Sequence, residues 1–385
     1  MWRYFALLIF FLTATSCITS QEKSNEILTG AAQLNEYLPL IQDKRIGLFV
    51  NHTSLIGSTH LTDTLLSLDI NVTKVFSPEH GFLGNKPDGE TIENEESDAF
   101  ELISLYGKSK KPSHDQVADL NLLIIDIQDV GVRCYTYAST MTYLMDACAQ
   151  AGVPVLILDR PNPNGSYVDG PVLDLKFKSF VGLHPIPLVH GLTLGELAHM
   201  INEEGWLESG KKCDLSIIKV KNWIHEQPYP LPIAPSPNLP NDNSVMLYPS
   251  LVLFEGTVVS VGRGTDLPFQ SIGHPQYQNG TFTFTPKPND GSKYPPLENE
   301  LCYGDNLILK GPNYTLNISY LLSYYQNVSS NLDGDFFNAY FTKLAGTDQL
   351  QTHIESGWSK EEIRQSWAND LAAFKKLRLN YLLYP

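Results

Sequence analysis

What this 385-residue chain lacks narrows its chemistry first. It holds five cysteines but no C-x-x-C pair and no other metal-like spacing, which argues against a zinc site. No D-x-D-x-D-G and no H-E-x-x-H occurs, so no metal is expected. No G-x-G-x-x-G follows a strand and no G-x-x-x-x-G-K-[ST] occurs anywhere, so neither a nucleotide nor another cofactor is expected. The G-x-S-x-G elbow of serine hydrolases is missing too. Basic residues are few: 27 Lys and Arg stand against 42 Asp and Glu, a net charge of -15. The only dense basic run is Lys108, Lys110 and Lys111. That balance excludes nucleic acid and an anionic membrane surface as partners. No internal repeat is evident.

The longest N-terminal apolar run, Tyr4–Leu12, is short of the ~20 residues that a membrane span needs. Arg3 precedes it, and Ala14, Thr15 and Ser16 lead to Cys17, the order of a secretory signal peptide. Leu12-Thr-Ala-Thr-Ser-Cys17 also resembles a bacterial lipobox. The expectation is a signal over residues 1–17, lipid on Cys17, and a polar tether over 18–27. The protein would then be exported to the periplasm and anchored to a membrane by that lipid. The chain is 42% hydrophobic and 18% charged, an ordinary globular composition with length enough for two domains.

Apolar runs at residues 45–50, 72–76, 120–125, 153–158 and, more weakly, 215–219 read as buried strands. Helical patterns fall between them, at 26–42, 59–68, 135–150 and 193–204; Thr193 and Glu196 form a capping box in the last. Alternation of this kind predicts an α/β fold with a parallel sheet. The proline-rich stretch 228–240 cannot be helical. It marks the expected boundary between a Rossmann-like domain, 28–235, and a smaller α+β domain, 236–385, with the active cleft between them. In the second domain a strand is expected at 258–262, an irregular region at 274–300, and helices at 316–326, 334–344 and 360–376, the last capped by Ser359 and Glu362.

Polar residues cluster where the strands end: Asn51; Glu79 and His80; Asp126, Gln128 and Asp129; Asp159, Arg160 and Asn162. Ligands of open α/β sheets sit outside the carboxyl ends of the strands. The stretch Val75–Gly84 is central, because Pro78 stops the strand just before an acid and an imidazole. Glu79, packed by Phe76, Pro78 and Phe82, would be partly desolvated, which raises a carboxyl pKa and suits a general acid. His80 would orient it or hold substrate oxygens. Asp126, Gln128, Asp129 and Arg133 offer a dense hydrogen-bonding surface, beside Tyr135 and Tyr137 as faces for sugar rings; the alternative for Asp129 and Arg133 is an internal salt bridge. Asp159-Arg160 suits carboxylate capture or a structural ion pair. His190 is a further lining candidate. Glu255-Gly-Thr257 and Arg263-Gly-Thr265 would close over the cleft from the second domain.

Five motifs in order carry a family resemblance: S-P-E-H-G-F-x-G (Ser77–Gly84), D-I-Q-D-V-G-x-R-x-Y-T-Y (Asp126–Tyr137), L-D-R-P-N-P (Leu158–Pro163), P-S-P-N-L-P (Pro235–Pro240) and E-G-T-x-x-S-x-G-R-G-T-x-x-P-F (Glu255–Phe269). Together they resemble the exo-β-N-acetylmuramidase NamZ family, long known as a domain of unknown function. The resemblance runs from about residue 28 to the end. It implies a glycoside hydrolase that releases N-acetylmuramic acid from non-reducing ends of peptidoglycan fragments. The family's proposed acid falls on Glu79, and the other motif residues, Asn238 among them, are expected to line the cleft. Gln270 departs from the pattern, where an acidic residue is expected after Pro-Phe. A second catalytic group is open among Glu255, Asp126, Asp129 and the substrate's own acetamido group. Arg133, Arg160 and Arg263 are candidates to select the lactyl carboxylate of the sugar. The competing readings are a lipid-anchored receptor that binds muropeptides without chemistry, and a metal-assisted hydrolase.

Overall fold

The computed structural model describes residues 26–84, 95–96 (backbone only), 99–107, 109–308 and 314–385. The expected signal segment, Cys17 and most of the tether lie outside the described residues, as does most of the acidic loop over 85–99. The organising element is the strand Ile46–Val50, fully buried along its length. It pairs in parallel with Val72–Ser77 on one side and with Leu122–Asp126 on the other. Outward from there lie Glu101–Ser104 and the short antiparallel Glu95–Glu96 on one flank, and Val155–Leu158 and Leu215–Ile218 on the other. The chain therefore winds outward in one direction, returns, and winds outward in the other. The sheet's switch point lies between Ile46–Val50 and Leu122–Asp126, where such folds open a ligand crevice.

Both faces of the sheet are covered, which is why its strands are apolar without a polar side. Successive side chains point to opposite faces. Leu48, Val50, Val75 and Ile124 pack on one face with Tyr37, Ile41, Leu61 and Leu65. Phe49, Phe76, Ile125 and Ile157 pack on the other with Met141, Leu144 and Met145 of the helix Tyr137–Ala151 and Leu197 and Ile201 of the helix Leu194–Glu203. That second cluster continues through Phe254, Phe269, Ile272, Tyr324, Phe341 and Phe374 into the C-terminal part, which adds a three-stranded antiparallel sheet of Ser271–His274, Cys302–Asn306 and Phe282–Phe284. The four described cysteines are buried free thiols. No described helix is long and apolar enough to cross a membrane.

Several element boundaries differ from the sequence reading. The helix expected over 26–42 is limited to Leu34–Ile41, because Leu28 pairs with Lys221 and Gly30 lies against the backbone of Leu158 and Asp159. A Cβ on Gly30 would come within 2.5 Å of the Asp159 nitrogen, so this contact requires glycine. The expected strand at 258–262 is reduced to isolated bridges, with Ser260 pairing Gly273 and Thr257 pairing Phe337. The helix expected at 334–344 forms only over Phe341–Ala345. That at 360–376 is broken at Trp367 into Lys360–Ser366 and Ala368–Arg378. The capping boxes at Thr193/Glu196 and Ser359/Glu362 are both present. A helix at Asp242–Leu251, capped by Asn241 and Ser244, had no counterpart in the sequence reading. The region 274–300, expected to be irregular, contributes the strand Phe282–Phe284.

Candidate active site

A cavity of about 440 Å³ opens where the carboxyl ends of the strands meet the C-terminal part. Glu79 and His80 enter it directly after the strand Val72–Ser77. Glu79 is half-buried, and the Thr136 hydroxyl donates to its Oε2 at 3.1 Å. His80 is buried and takes a left-handed φ of 69°, a conformation that a non-glycine residue adopts at a cost. That strain turns the chain sharply just after the acid. From the C-terminal part come Glu255 and Arg263, paired through Arg263 Nε to Glu255 Oε1 at 2.9 Å and Nη2 to the same oxygen at 2.5 Å. The Arg263 guanidinium also lies 5.2 Å from the centre of the Phe269 ring. Glu79 and Glu255 are the two carboxyls among the described residues of the lining.

Aromatic rings make much of the wall. Tyr135 and Tyr137 meet edge to face at 4.7 Å, and Tyr135 meets Tyr248 at 6.0 Å. Their hydroxyls are tied down: those of Tyr135 and Tyr137 both donate to the Pro235 carbonyl, at 3.0 and 3.3 Å. Asn51 is fully buried behind Tyr137, donating to its hydroxyl at 3.0 Å while its own Oδ1 accepts from Thr53. It therefore positions the wall from behind. The His52 ring nitrogen Nε2 holds the Ala234 carbonyl at 2.8 Å, so the proline-rich crossing is fastened across the strand ends. This places Ser236 and Asn238 in the lining, with Asn238 Nδ2 donating to the Gly291 carbonyl at 2.7 Å.

Several residues expected to bind substrate lie outside this cavity, each committed to an internal partner. Arg160 forms a buried two-pronged pair with Asp126, at 2.5 and 2.9 Å. Arg133 is buried too, and its Nη atoms donate to four carbonyls, Pro171, Ile186, Leu344 and Ala345, between 2.7 and 3.0 Å. Neither is placed to capture a lactyl carboxylate, and Arg133 does not form the alternative pair with Asp129. Asp159 accepts from Thr193, Gly195 and Tyr384, anchoring a helix start and the C-terminal tail. Gln128 Nε2 donates to the carbonyls of Asp129 and Pro161, and Asn162 Nδ2 to that of Leu192. His190 accepts from the Leu192 N–H, and burial pushes it down to about 3, so it is neutral. Thr265 closes a local turn with Gly262 and Leu267. Gln270 does not border the cavity. Among the described residues no three His, Cys, Asp or Glu side chains converge to hold a metal.

The sequence reading missed Tyr106, Lys110, Phe180, Tyr248, Tyr340 and Lys343, all of which border the cavity. Tyr106 and Lys110 follow Glu101–Ser104, a strand with only two fully buried positions and so without an apolar run to announce it. Tyr340 and Lys343 come from the far end of the sequence, and nothing local signals that the helix Phe341–Ala345 returns to this cavity.

Asp129 generates a test of this geometry. Its Oδ1 accepts from the Gly131 N–H at 2.7 Å, while its buried Oδ2 meets no partner among the described residues. Burial pushes its carboxyl up from 3.8 to about 7, against a smaller opposing pull from the Gly131 and Val130 N–H groups. The folded protein thus holds this proton more tightly than the unfolded chain does. Stability from the group is complete below about pH 4 and is lost as pH rises towards about 7. Asp129→Asn, which cannot ionise, is expected to flatten the fall in melting temperature over that window. An equally steep fall in the variant would contradict the assignment.

Two family models match the chain in tandem: the N-terminal part of exo-beta-N-acetylmuramidase NamZ over residues 46–243, and its C-terminal part over residues 246–384. The peptidoglycan beta-N-acetylmuramidase NamZ of Bacillus subtilis (strain 168) is 35% identical, across 98% of this chain and 97% of that protein. Two crystal structures of DUF1343 family proteins from Bacteroides fragilis NCTC 9343 share the fold. One has a TM-score of 0.85 and 48% identity, the other 0.79 and 27%; each covers 93% of this chain and is itself covered over 99%. This chain belongs to the exo-β-N-acetylmuramidase NamZ family.

Proposed function

We propose that this chain is an exo-acting glycoside hydrolase that removes terminal non-reducing N-acetylmuramic acid from peptidoglycan fragments, with Glu79 as its general acid. One observation carries the reading: in a chain that matches the NamZ family over residues 46–243 and 246–384, Glu79 stands at the carboxyl end of a parallel strand, in the wall of an aromatic-lined cavity. Flat rings suit the apolar faces of a sugar, and the Thr136 hydroxyl fixes the orientation of the carboxyl. Glu79 would give its proton to the glycosidic oxygen as the bond to the anomeric carbon breaks, while positive charge develops on the sugar ring. Of the protein carboxyls considered as second group, Glu255 alone borders the cavity, held there by Arg263. Asp126 is consumed by Arg160, and Asp129 lies behind the wall. The substrate's own acetamido oxygen remains the alternative to Glu255.

The test is hydrolysis of a chromogenic β-N-acetylmuramide by the wild type and by Glu79→Gln. The variant is expected to lose about 10²- to 10⁴-fold in kcat, the range for removing a general acid. A variant as active as the wild type would remove Glu79 from that role. A muramide that binds to both proteins and is turned over by neither would make the protein a receptor.

We also infer export and lipid anchoring at Cys17, supported by Arg3, the apolar run Tyr4–Leu12 and the small residues before the cysteine. A labelled fatty acid fed to expressing bacteria is expected in the full-length protein and absent from Cys17→Ala. Label in neither protein would overturn this.

A further inference from the structure

Three described cations border the cavity, and they differ in what already surrounds them: Arg263, Lys343 and Lys110. Arg263 spends two of its donors on Glu255. Lys343 is exposed at the rim. Lys110 is half-buried, with its Nζ 4.1 Å from the centre of the Phe180 ring and 5.6 Å from that of Tyr106. Among the described residues it meets no carboxylate, whereas its neighbour Lys111 pairs with Glu208 outside the cavity. A cation that meets no carboxylate among the described residues, in a chain of net charge -15, is suited to an anionic group on a ligand. The two rings hold the ammonium by cation–π attraction and shield it from water, which strengthens its pull on an incoming anion.

We propose that Lys110, steadied on the Phe180 and Tyr106 rings, is the specificity-determining residue that reads the carboxylate of the substrate's lactyl ether. The proposal rests on the muramidase reading. N-acetylmuramic acid differs from N-acetylglucosamine only by that ether and its carboxylate, so one well-placed cation suffices to tell the two sugars apart. Of the three arginines expected from sequence to do this, Arg133 and Arg160 are sealed away in internal bonds, and Arg263, which does border the cavity, is engaged with Glu255. Lys110 acts on binding, since the lactyl group takes no part in bond cleavage, and its removal should appear in KM.

The experiment compares three chromogenic substrates, a β-N-acetylmuramide, its lactyl methyl ester and the β-N-acetylglucosaminide, on the wild type, Lys110→Met, Lys110→Arg and Lys111→Met. The wild type is expected to prefer the free acid to the ester. Lys110→Met should lose about 10- to 100-fold in kcat/KM on the acid, as expected for one charge-assisted hydrogen bond, and treat acid and ester alike. Lys110→Arg should recover part of the loss, and Lys111→Met should match the wild type. A Lys110→Met variant that keeps the preference for acid over ester overturns the assignment and leaves the muramidase standing. So does a wild type that cleaves acid and ester equally. A wild type that cleaves none of the three overturns the muramidase reading, and this one with it.

Discussion

A buried guanidinium that meets no carboxylate among the described residues joins the two parts of the cavity wall. Arg133 reaches two carbonyls of the ribbon formed by Asp169–Val172 and Pro187–Val189 or its flank, and two at the end of the helix Phe341–Ala345. The end of a helix carries partial negative charge on carbonyls that lack partners within the helix, which suits a cation there. The residues just after Arg133 are Cys134, Tyr135, Thr136 and Tyr137, all in the lining, and Thr136 holds Glu79. The helix that Arg133 grips presents Lys343 and follows Tyr340, also in the lining. One side chain thus fixes how far apart the two walls stand. No space remains to enlarge this joint: a Cβ on Gly346 would come within 2.7 Å of the Arg133 Nη2.

Behind the walls lies a second tier of polar contacts. The Asp126–Arg160 pair, the Asn51–Tyr137 bond and the Asp159 junction with Thr193 and Tyr384 all sit at the strand ends, as a ligand site would. Buried polar groups are costly unless satisfied, so each is matched to specific partners. Their shared work is to hold loops that have no regular structure of their own. An active site built on loops needs such props if its acid is to stay in place to within a fraction of an ångström.

This division explains what the sequence made readable and what it hid. Uninterrupted apolar runs revealed the buried parallel strands, and capping boxes revealed two helix starts. The polar clusters at the strand ends pointed to the end of the sheet where the cavity opens. They did not tell which side chains face the cavity, because a polar residue at a strand end looks the same whether it meets a ligand or a distant carbonyl. Arg133 makes the point: two of its acceptors lie 211 and 212 positions away. The same distance problem hid Tyr340 and Lys343, while Lys110 was hidden by a strand too short and too polar to notice. The motifs read as a family resemblance carried Glu79, Tyr135, Tyr137, Asn238, Glu255 and Arg263 to the cavity, and carried Asp126, Arg160 and Asn162 to the scaffold behind it.

The central claim is that the acid on the first wall reaches the bond to be broken when the sugar lies between both walls. A crystal structure of Glu79→Gln soaked with a disaccharide ending in non-reducing N-acetylmuramic acid tests it most directly. The predicted result is a glycosidic oxygen within hydrogen-bond reach of the side-chain amide introduced at position 79, roughly 2.6–3.2 Å, with the muramic ring against Tyr135, Tyr137 and Tyr248. A sugar seated in this cavity with that oxygen far from residue 79, or seated elsewhere on the protein, would contradict it.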